Sequence, residues 1–243
     1  MELLWRSTPA SVADAHALIE DHGVVLLRQV FQPEWITAVA VVVDQLFEAT
    51  AIAAKAGALT PDAVRDYKQR AIDVARLTYQ GRAVVDDLAA PLLDLVAALL
   101  GAPAECHPHS FLRAVSAEDE EAGDGLRLPF HQDQRVLDRR LVNAWIPFVA
   151  CGRDRPGLEL VRRPLDGLVP AALHANSIYG LTGIEIPAPI VRVEYRGLLW
   201  APDMMPGDAL VFPGTTIHRS HVTPGMTGTR TSVDLRFVPA GAG

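Results

Sequence analysis

The chain has 243 residues, of which 49% are hydrophobic and 21% charged, a composition typical of a soluble globular protein that buries a sizeable core. Its net charge of −7 and the lack of a basic run argue against a nucleic-acid partner. No apolar stretch reaches about 18 uninterrupted residues, so we predict no membrane span. Residues 1–6 lack the pattern of a signal peptide, and Cys106 and Cys151 are too few for a disulfide framework, which together predict a cytoplasmic location.

The first hundred residues are predicted to be mostly helical. Thr8 is a candidate cap and Pro9 suits a first turn, while Gly23 can end the helix that they begin. Pro33 and Glu34 then open a longer helix with apolar residues at helical spacing. We predict helices over residues 11–22, 33–56, 60–76 and 86–100, with one strand over residues 24–27.

From Cys106 onward the apolar runs shorten to strand length and prolines and glycines become frequent. Strands are predicted over residues 110–115, 141–150, 158–161, 190–195, 209–212 and 232–238. Many short strands separated by turn signals indicate an antiparallel sandwich or barrel. Residues 116–128 and 165–189 are predicted to be loops near the site, and the acidic stretch 118–125 fits a lid and a solvated hairpin tip equally well.

A short motif ahead of the apolar run 141–150 places His131 and Asp133 two residues apart. In an extended chain these side chains point to the same side, while Gln132 faces away. One imidazole and one carboxylate are two of the three ligands in a 2-His-1-carboxylate site for non-haem Fe(II). A hydrogen-bonded His–Asp pair in a loop explains the same motif, because H-x-D occurs often by chance. The metal interpretation therefore depends on a third ligand.

Residues 205–221 offer that third ligand. Pro206-Gly207-Asp208 predicts a turn, a strand follows it, and His218 begins the next extended piece. Ser220 lies on the same side as His218 by strand alternation and has a hydroxyl to donate to a carboxylate. Arg230 follows twelve residues after His218 and can bind the same carboxylate through a bidentate fork that lysine cannot form.

Other histidines compete for the metal. His221 lies three residues after His218, but a lone surface histidine is common, so we prefer His218. His107 and His109 form an H-x-H pair, which we interpret as structural because Pro108 separates them and no third ligand is nearby.

Other arginines compete for the anion. Arg236 lies six residues after Arg230 and so shares its strand face, which makes it a rival for the carboxylate clamp. Arg113 and Arg135 flank the proposed site in the sequence and could meet an anionic substrate. We interpret both as solvated surface residues.

Taken in chain order, these pieces resemble the phytanoyl-CoA dioxygenase-like branch of the Fe(II)/2-oxoglutarate-dependent oxygenases. The matching pieces span most of the chain: residues 23–34, His131-Gln132-Asp133, Ala144-Trp145, Pro206-Gly207-Asp208, and His218-Arg219-Ser220 followed by Arg230. The resemblance implies a mainly β chain of the α+β type, with a double-stranded β-helix core (jelly roll, cupin-like). It also implies a single domain over residues 1–243, in which residues 1–103 are helical support and residues 104–243 form the jelly roll.

The resemblance also implies roles for particular residues. His131, Asp133 and His218 would hold Fe(II). Arg230 and Ser220 would bind the distal carboxylate of 2-oxoglutarate, and Trp145, otherwise a core aromatic, would line its pocket. The implied reaction uses O2 and 2-oxoglutarate to hydroxylate a C–H bond of a small molecule, with release of succinate and CO2.

The carboxylate at Asp133 favours hydroxylation over halogenation, because related halogenases carry glycine or alanine at this position. Desaturation, epimerisation and ring closure remain open. Family members usually carry a Pro-Gly-Ser-His turn where this chain has Arg162-Arg163-Pro164, so an acyl-CoA substrate does not follow from the resemblance.

Two functions of other classes fit the same ligands. One is a cupin-like protein whose metal serves binding or structure, and the other is a zinc hydrolase or isomerase. The pairing of Arg230 with Ser220 argues against the first, because it has no purpose without an anionic co-substrate. The sequence leaves the primary substrate and the oligomeric state open.

Overall fold

The computed structural model describes residues 11–68, 70–117, 128–172 and 184–241. Within these ranges the helices are α1 (Val12–His22), α2 (Pro33–Lys55), α3 (Pro61–Lys68), α4 (Val84–Ala89), α5 (Leu93–Leu100), α6 (Asp133–Leu137) and α7 (Ala188–Glu194). The strands are β1 (Val25–Leu27), β2 (Ala71–Asp73), β3 (Thr78–Tyr79), β4 (Arg82–Ala83), β5 (Ala104–Cys106), β6 (Phe111–Ser116), β7 (Val142–Pro147), β8 (Gly157–Val161), β9 (Leu199–Trp200), β10 (Ala209–Pro213), β11 (His218–His221) and β12 (Thr229–Pro239). The acidic stretch 118–125 and much of the predicted loop 165–189 lie outside the described residues.

The two N-terminal helices end where the sequence predicts. α1 begins after Ser11, whose hydroxyl accepts a hydrogen bond from the Asp14 amide, and ends at Gly23 with φ of 72°. The other candidate cap, Thr8, lies outside the described residues. α2 starts at Pro33 and ends one residue before Ala56.

The third and fourth predicted helices are shorter than expected. The third ends at Lys68, and residues 71–73 form β2 because they pair with β6, a contact that local propensity does not reveal. The fourth is interrupted by a 3₁₀ turn over Ala90–Leu92, because Pro91 has no amide hydrogen to donate.

The predicted strand over residues 190–195 is wrong, because this segment is helix α7. Pro187 and Pro189 flank its first residue, and proline favours a helix start. Val191 is buried while Ile190 and Val193 are exposed, which is a helical rather than an alternating pattern.

The strands form two main antiparallel sheets. The larger has the order β1-β10-β7-β12-β6-β2, with β5 also paired to β12, and the smaller has the order β11-β8-β9. Trp145 and Phe212 of the larger sheet pack in one cluster with Leu158 and Leu160 of the smaller sheet. The two sheets therefore face each other across a shared interior.

The larger sheet is buried on both faces, and the two faces differ in chemistry. Val233, Leu235 and Phe237 of β12 pack with the N-terminal helices, as do Val142, Ala144 and Ile146 of β7. Burial of each such side chain stabilises the fold by roughly 1.5–3 kcal/mol. The alternate residues of the same strands point toward the smaller sheet and include Asn143, Trp145, Arg230, Ser232, Asp234 and Arg236. Polar side chains on the inner face of a buried sheet mark the functional site.

The predicted turn at Pro206-Gly207-Asp208 ties the edge strand β1 to β10. Gly207 has φ of 99°, and a Cβ there would lie 2.5 Å from the Phe31 carbonyl oxygen. The buried Asp208 carboxylate accepts hydrogen bonds from the Gln29 and Met205 amides.

Helix α2 is the one helix among the described residues that is long and apolar enough to cross a membrane by length and composition. A helix that packs on the core of a soluble protein passes the same test. Ile36, Val39, Ala40 and Val43 of α2 are buried in the cluster shared with the larger sheet. This packing accounts for the apolar character of its inner face.

Candidate metal centre

Three side chains from distant parts of the chain converge between the two sheets. His131, Asp133 and His218 each present one ligand atom, and these atoms lie within 4.8 Å of one another. His131 Nε2 is 3.6 Å from Asp133 Oδ1, and His218 Nε2 is 3.6 Å from Asp133 Oδ2. All three residues are buried. The structure thus brings together the three ligands that the sequence predicts.

Backbone hydrogen bonds set the two histidines side by side. The amide of His131 donates to the carbonyl of His218 at 3.0 Å, and the amide of His218 donates back at 3.1 Å. Asp133 is the first residue of α6, so the extended conformation expected for this motif stops at Gln132. Gln132 faces away as predicted, and its side-chain nitrogen Nε2 donates hydrogen bonds to the backbone carbonyls of Gly167 and Thr215.

The imidazole rings of His131 and His218 each turn the lone pair of Nε2 toward the space beside Asp133. His131 Nδ1 lies 2.7 Å from the Pro129 carbonyl oxygen, and His218 Nδ1 lies 3.0 Å from that of Thr216. A carbonyl only accepts, so each Nδ1 carries the hydrogen and each Nε2 is free to bind a cation. His131 Nε2 is buried and has no hydrogen-bond partner among the described residues.

The charges of the three groups fit a divalent cation. Burial, reinforced by His131, lowers the pKa of His218 to about 4, so this imidazole is neutral at physiological pH. Burial alone would raise the pKa of Asp133, but the Arg236 guanidinium holds it well below its usual value. Two histidine nitrogens and one carboxylate are the donor set of the non-haem iron facial triad, and they fit Fe(II).

Arg230 lies in the same cavity. It is 1% exposed, its Nη1 donates to Ser232 Oγ at 2.7 Å, and its Cζ lies 5.1 Å from the centroid of the Trp145 ring. Burial lowers the pKa of Arg230, but a guanidinium stays protonated at neutral pH. In the part of the chain that the structure describes, no carboxylate forms an ion pair with it. A buried cation of this kind is suited to an anionic ligand.

The cavity between the two sheets is lined by the three candidate metal ligands and by Arg230, Trp145 and Ser220. Ser220 Oγ accepts a hydrogen bond from the Leu128 amide, so it lines the cavity without touching Arg230. The serine that does bond to Arg230 is Ser232, which the sequence analysis missed. Its position two residues after Arg230 in a strand was the signal available.

Strand geometry decides between the rival histidines. Along β11, His218 and Ser220 are buried, while Arg219 and His221 are partly exposed. His221 therefore points away from the ligand cluster, as preferred from the sequence. His107 and His109 contact each other, with ring centroids 5.3 Å apart, and neither belongs to the cluster.

The rival arginine for the anion clamp has another contact. Arg236 Nη2 donates to Asp133 Oδ1 at 2.9 Å, and its Nη1 donates to the His109 carbonyl at 2.8 Å. Arg236 therefore holds a candidate metal ligand, which leaves Arg230 as the better candidate for the clamp.

The surface interpretation of Arg113 is wrong. Arg113 is 6% exposed, lines the cavity, and its Nε donates to Asp234 Oδ2 at 2.8 Å. Strand alternation in β6 turns it inward next to β12. Arg135 is partly buried and donates to the Val169 carbonyl.

The chain was compared with known proteins. Residues 19–163, more than half of the chain, match the model of the phytanoyl-CoA dioxygenase (PhyH) family. No curated protein matches the sequence.

Many solved structures share the fold. AviO1 from Streptomyces viridochromogenes is 15% identical with a TM-score of 0.62, over 98% of this chain and 99% of that one. EvdO2 from Micromonospora carbonacea var. aurantiaca, complexed with 2-oxoglutarate, is 15% identical with a TM-score of 0.60, over 93% of this chain and 90% of that one. EctD from S. alaskensis, with 2-oxoglutarate and 5-hydroxyectoine, is 19% identical with a TM-score of 0.60, over 96% of this chain and 78% of that one.

These likenesses confirm the predicted fold class, a mainly antiparallel jelly-roll core with N-terminal helices. Together with the family match, they confirm the resemblance drawn from the sequence. The chain belongs to the phytanoyl-CoA dioxygenase family of Fe(II)/2-oxoglutarate-dependent oxygenases.

Proposed function

We propose that this protein hydroxylates a C–H bond of a small molecule, with Fe(II) as cofactor and 2-oxoglutarate and O2 as co-substrates. One observation carries the proposal. The converged ligand atoms of His131, Asp133 and His218 share a buried cavity with Arg230, a guanidinium that no described carboxylate neutralises. Such a cavity is suited to a redox-active cation and a dicarboxylate at the same time.

In this proposal His131, Asp133 and His218 hold the iron and leave coordination positions open for small molecules. When bound, the iron supplies the O2 chemistry that converts 2-oxoglutarate to succinate and CO2 and inserts one oxygen atom into the substrate C–H bond. The two atoms of O2 end in succinate and in the new hydroxyl group, so the reaction balances.

The chain's own side chains bind and orient the co-substrate. Arg230 binds the distal carboxylate of 2-oxoglutarate, and Ser232 and the Trp145 ring fix the guanidinium in place. Ser220 faces the same cavity and has a hydroxyl hydrogen to donate. Leu158 and Phe212 form apolar walls that keep bulk water from the reacting groups.

We propose that the substrate is a small molecule, because it must share one buried site with 2-oxoglutarate. EctD, which shares the fold, is described with a hydroxylated small molecule, 5-hydroxyectoine. An acyl-CoA substrate is not proposed, because Arg162-Arg163-Pro164 replaces the usual turn and Arg162 packs over Trp200 instead. We further propose that the chain is one domain and that, with its two free cysteines, it works in the cytoplasm.

Release of succinate tests the proposed reaction. Purified protein incubated with Fe(II), 2-oxoglutarate, O2 and candidate metabolites should form succinate, and the true substrate should stimulate its formation. The variants Asp133→Ala and His218→Ala should lose iron-dependent succinate formation, because each removes one of three ligands. His221→Ala is the matched control, since His221 lies on the opposite face of β11 and should keep activity. Wild-type turnover by either ligand variant would show that the ligand assignment is wrong.

A zinc hydrolase or isomerase on the same ligands is the remaining alternative, because zinc also accepts two histidines and a carboxylate. Anaerobic titration with Fe(II) and 2-oxoglutarate separates the two functions. The proposed chelate gives a weak visible charge-transfer band, whereas zinc has no redox chemistry and a zinc enzyme has no use for 2-oxoglutarate. Absence of the band at saturating Fe(II) and 2-oxoglutarate would contradict the proposal.

A further inference from the structure

The carboxylate of Asp133, the proposed metal ligand, is held by the buried side chain of Arg236. The proposed function gives Arg236 no role. Asp133 Oδ1 accepts a hydrogen bond from Arg236 Nη2 at 2.9 Å, and both side chains are 5% exposed. The other oxygen, Oδ2, is the one nearest His218 Nε2, at 3.6 Å. Oδ1 likewise lies 3.6 Å from His131 Nε2, so each oxygen lies beside one histidine, and the difference between them is that Oδ1 also accepts the hydrogen bond from Arg236.

Arg236 is itself fixed from three sides. Its Nη1 donates to the His109 carbonyl at 2.8 Å, and its amide donates to Ser110 Oγ at 3.0 Å. Its carbonyl accepts from the His107 amide at 2.7 Å. Because the turn over residues 107–110 and strand β12 both hold Arg236, the guanidinium has little freedom to follow a moving carboxylate.

We propose that Arg236 is a positioning residue that engages Oδ1 of Asp133 and so leaves Oδ2 as the oxygen that binds the metal. The inference rests on the proposed function, because it assumes that Asp133 is a ligand. A carboxylate bound through one oxygen occupies one coordination position, which leaves room for 2-oxoglutarate and O2. The His107–Ser110 turn then serves the metal site through Arg236, although neither of its histidines is a ligand.

The geometry distinguishes Arg236 from Arg230, which lies on the same face of β12. Arg230 forms no ion pair with a carboxylate in the described part of the chain and lines the cavity, whereas Arg236 contacts the carboxylate of Asp133. The two arginines therefore have separable effects. Loss of Arg230 should weaken 2-oxoglutarate binding, and loss of Arg236 should weaken metal binding.

The test uses Co(II), a spectroscopic substitute for Fe(II), titrated into purified metal-free protein without 2-oxoglutarate. The variants Arg236→Lys and Arg236→Gln should bind Co(II) about 10–100-fold more weakly than the wild type, in the range found for residues that orient metal ligands. Their Co(II) d–d absorption should also change in shape, because the carboxylate is free to bind differently. Lysine keeps the charge but not the fork, so Arg236→Lys should not restore the wild-type spectrum.

Arg28→Gln is the matched control. It removes another Arg–Asp ion pair, that between Arg28 and Asp208 at 2.6 Å, which lies outside the cavity. This variant should lose stability yet keep the wild-type Co(II) affinity and spectrum. The control separates general weakening of the fold from an effect on the metal ligand.

Each outcome has a clear meaning. If folded Arg236 variants bind Co(II) with unchanged affinity and an unchanged spectrum, Arg236 is only structural and the inference is overturned. If the wild type itself binds no Co(II) or Fe(II), the proposed function fails instead. If the single Arg236 variants do not fold, a double variant replaces them, in which Asp133→Asn is combined with Arg236→Gln so that both buried charges are removed. The double variant should fold, and it should bind Co(II) no more tightly than Asp133→Asn alone. Tighter binding by the double variant would also overturn the inference.

Discussion

Arg230 offers the sharpest test of how the cavity binds its co-substrate. The substitution Arg230→Ala removes a fully buried guanidinium that is held by Ser232 and the Trp145 ring. Loss of one partner from a buried, hydrogen-bonded charge pair costs about 2–5 kcal/mol. At about 1.4 kcal/mol per factor of ten, the Kd for 2-oxoglutarate should rise roughly 30-fold to several thousand-fold. Arg230→Lys should give a smaller rise, because lysine keeps the charge but not the fork.

The assay is an anaerobic titration of the Fe(II)-loaded protein with 2-oxoglutarate, followed by its visible charge-transfer band. Pyruvate is the internal control, since it has the same 2-oxo acid group but no distal carboxylate. Wild type and variant should bind pyruvate equally, so the loss is confined to 2-oxoglutarate. The reasoning is refuted if Arg230→Ala leaves the affinity for 2-oxoglutarate unchanged, or if it weakens pyruvate by the same factor.

Two further predictions concern stability. Leu235→Ala, on the helix-facing side of β12, should lower the free energy of unfolding by about 2–5 kcal/mol in urea, because Leu235 is fully buried. Val193→Ala, at a residue 76% exposed, should change it by no more than about 0.5 kcal/mol, and equal losses would contradict the packing described here. The metal-free protein should also lose stability as the pH falls. The pKa of His218 is about 4 in the fold and about 6.5 when unfolded, so the unfolded chain takes up a proton that the fold excludes. The neutral His218 therefore contributes on the order of 3 kcal/mol to the free energy of unfolding. This contribution is fully present above about pH 6.5 and is lost as the pH falls toward 4. His218→Gln should show a shallower decline in urea titrations between pH 7 and 4.5, and an equally steep decline would contradict this assignment.

The sequence predicted the elements whose signals are local. The helix ends at Gly23 and Pro33 depend on caps and on proline geometry, and both lie where they were predicted. The strands β7, β10 and β12 were found because short apolar or alternating runs between turn signals favour strands. The error at β2 arose because pairing with β6 decides that segment, whereas the error at residues 190–195 missed a local signal, the prolines that start α7.

The candidate metal ligands could be picked out from the sequence for a related reason. His131 and Asp133 are neighbours in the chain, and strand alternation puts His218 and Ser220 on one face of β11. The partners of these residues were less visible. The contact between Arg236 and Asp133 joins residues far apart in the sequence, and nothing local to either residue indicates it.

The buried polar residues show what strand alternation alone can and cannot reveal. Arg113 and Asp234 form an ion pair across β6 and β12, and each also lines the cavity. A single arginine in a short strand is usually a surface residue. Only the pairing of β6 with β12, in a sheet covered by helices on its other side, makes this one buried.

Anomalous diffraction from crystals grown anaerobically with Fe(II), with data collected at the iron absorption edge, tests the metal assignment most directly. We expect one strong anomalous peak within bonding distance of His131 Nε2, His218 Nε2 and a carboxylate oxygen of Asp133, with Arg230 facing the same cavity. A peak bound by other residues, or none at these three side chains in fully iron-loaded protein, would contradict the account.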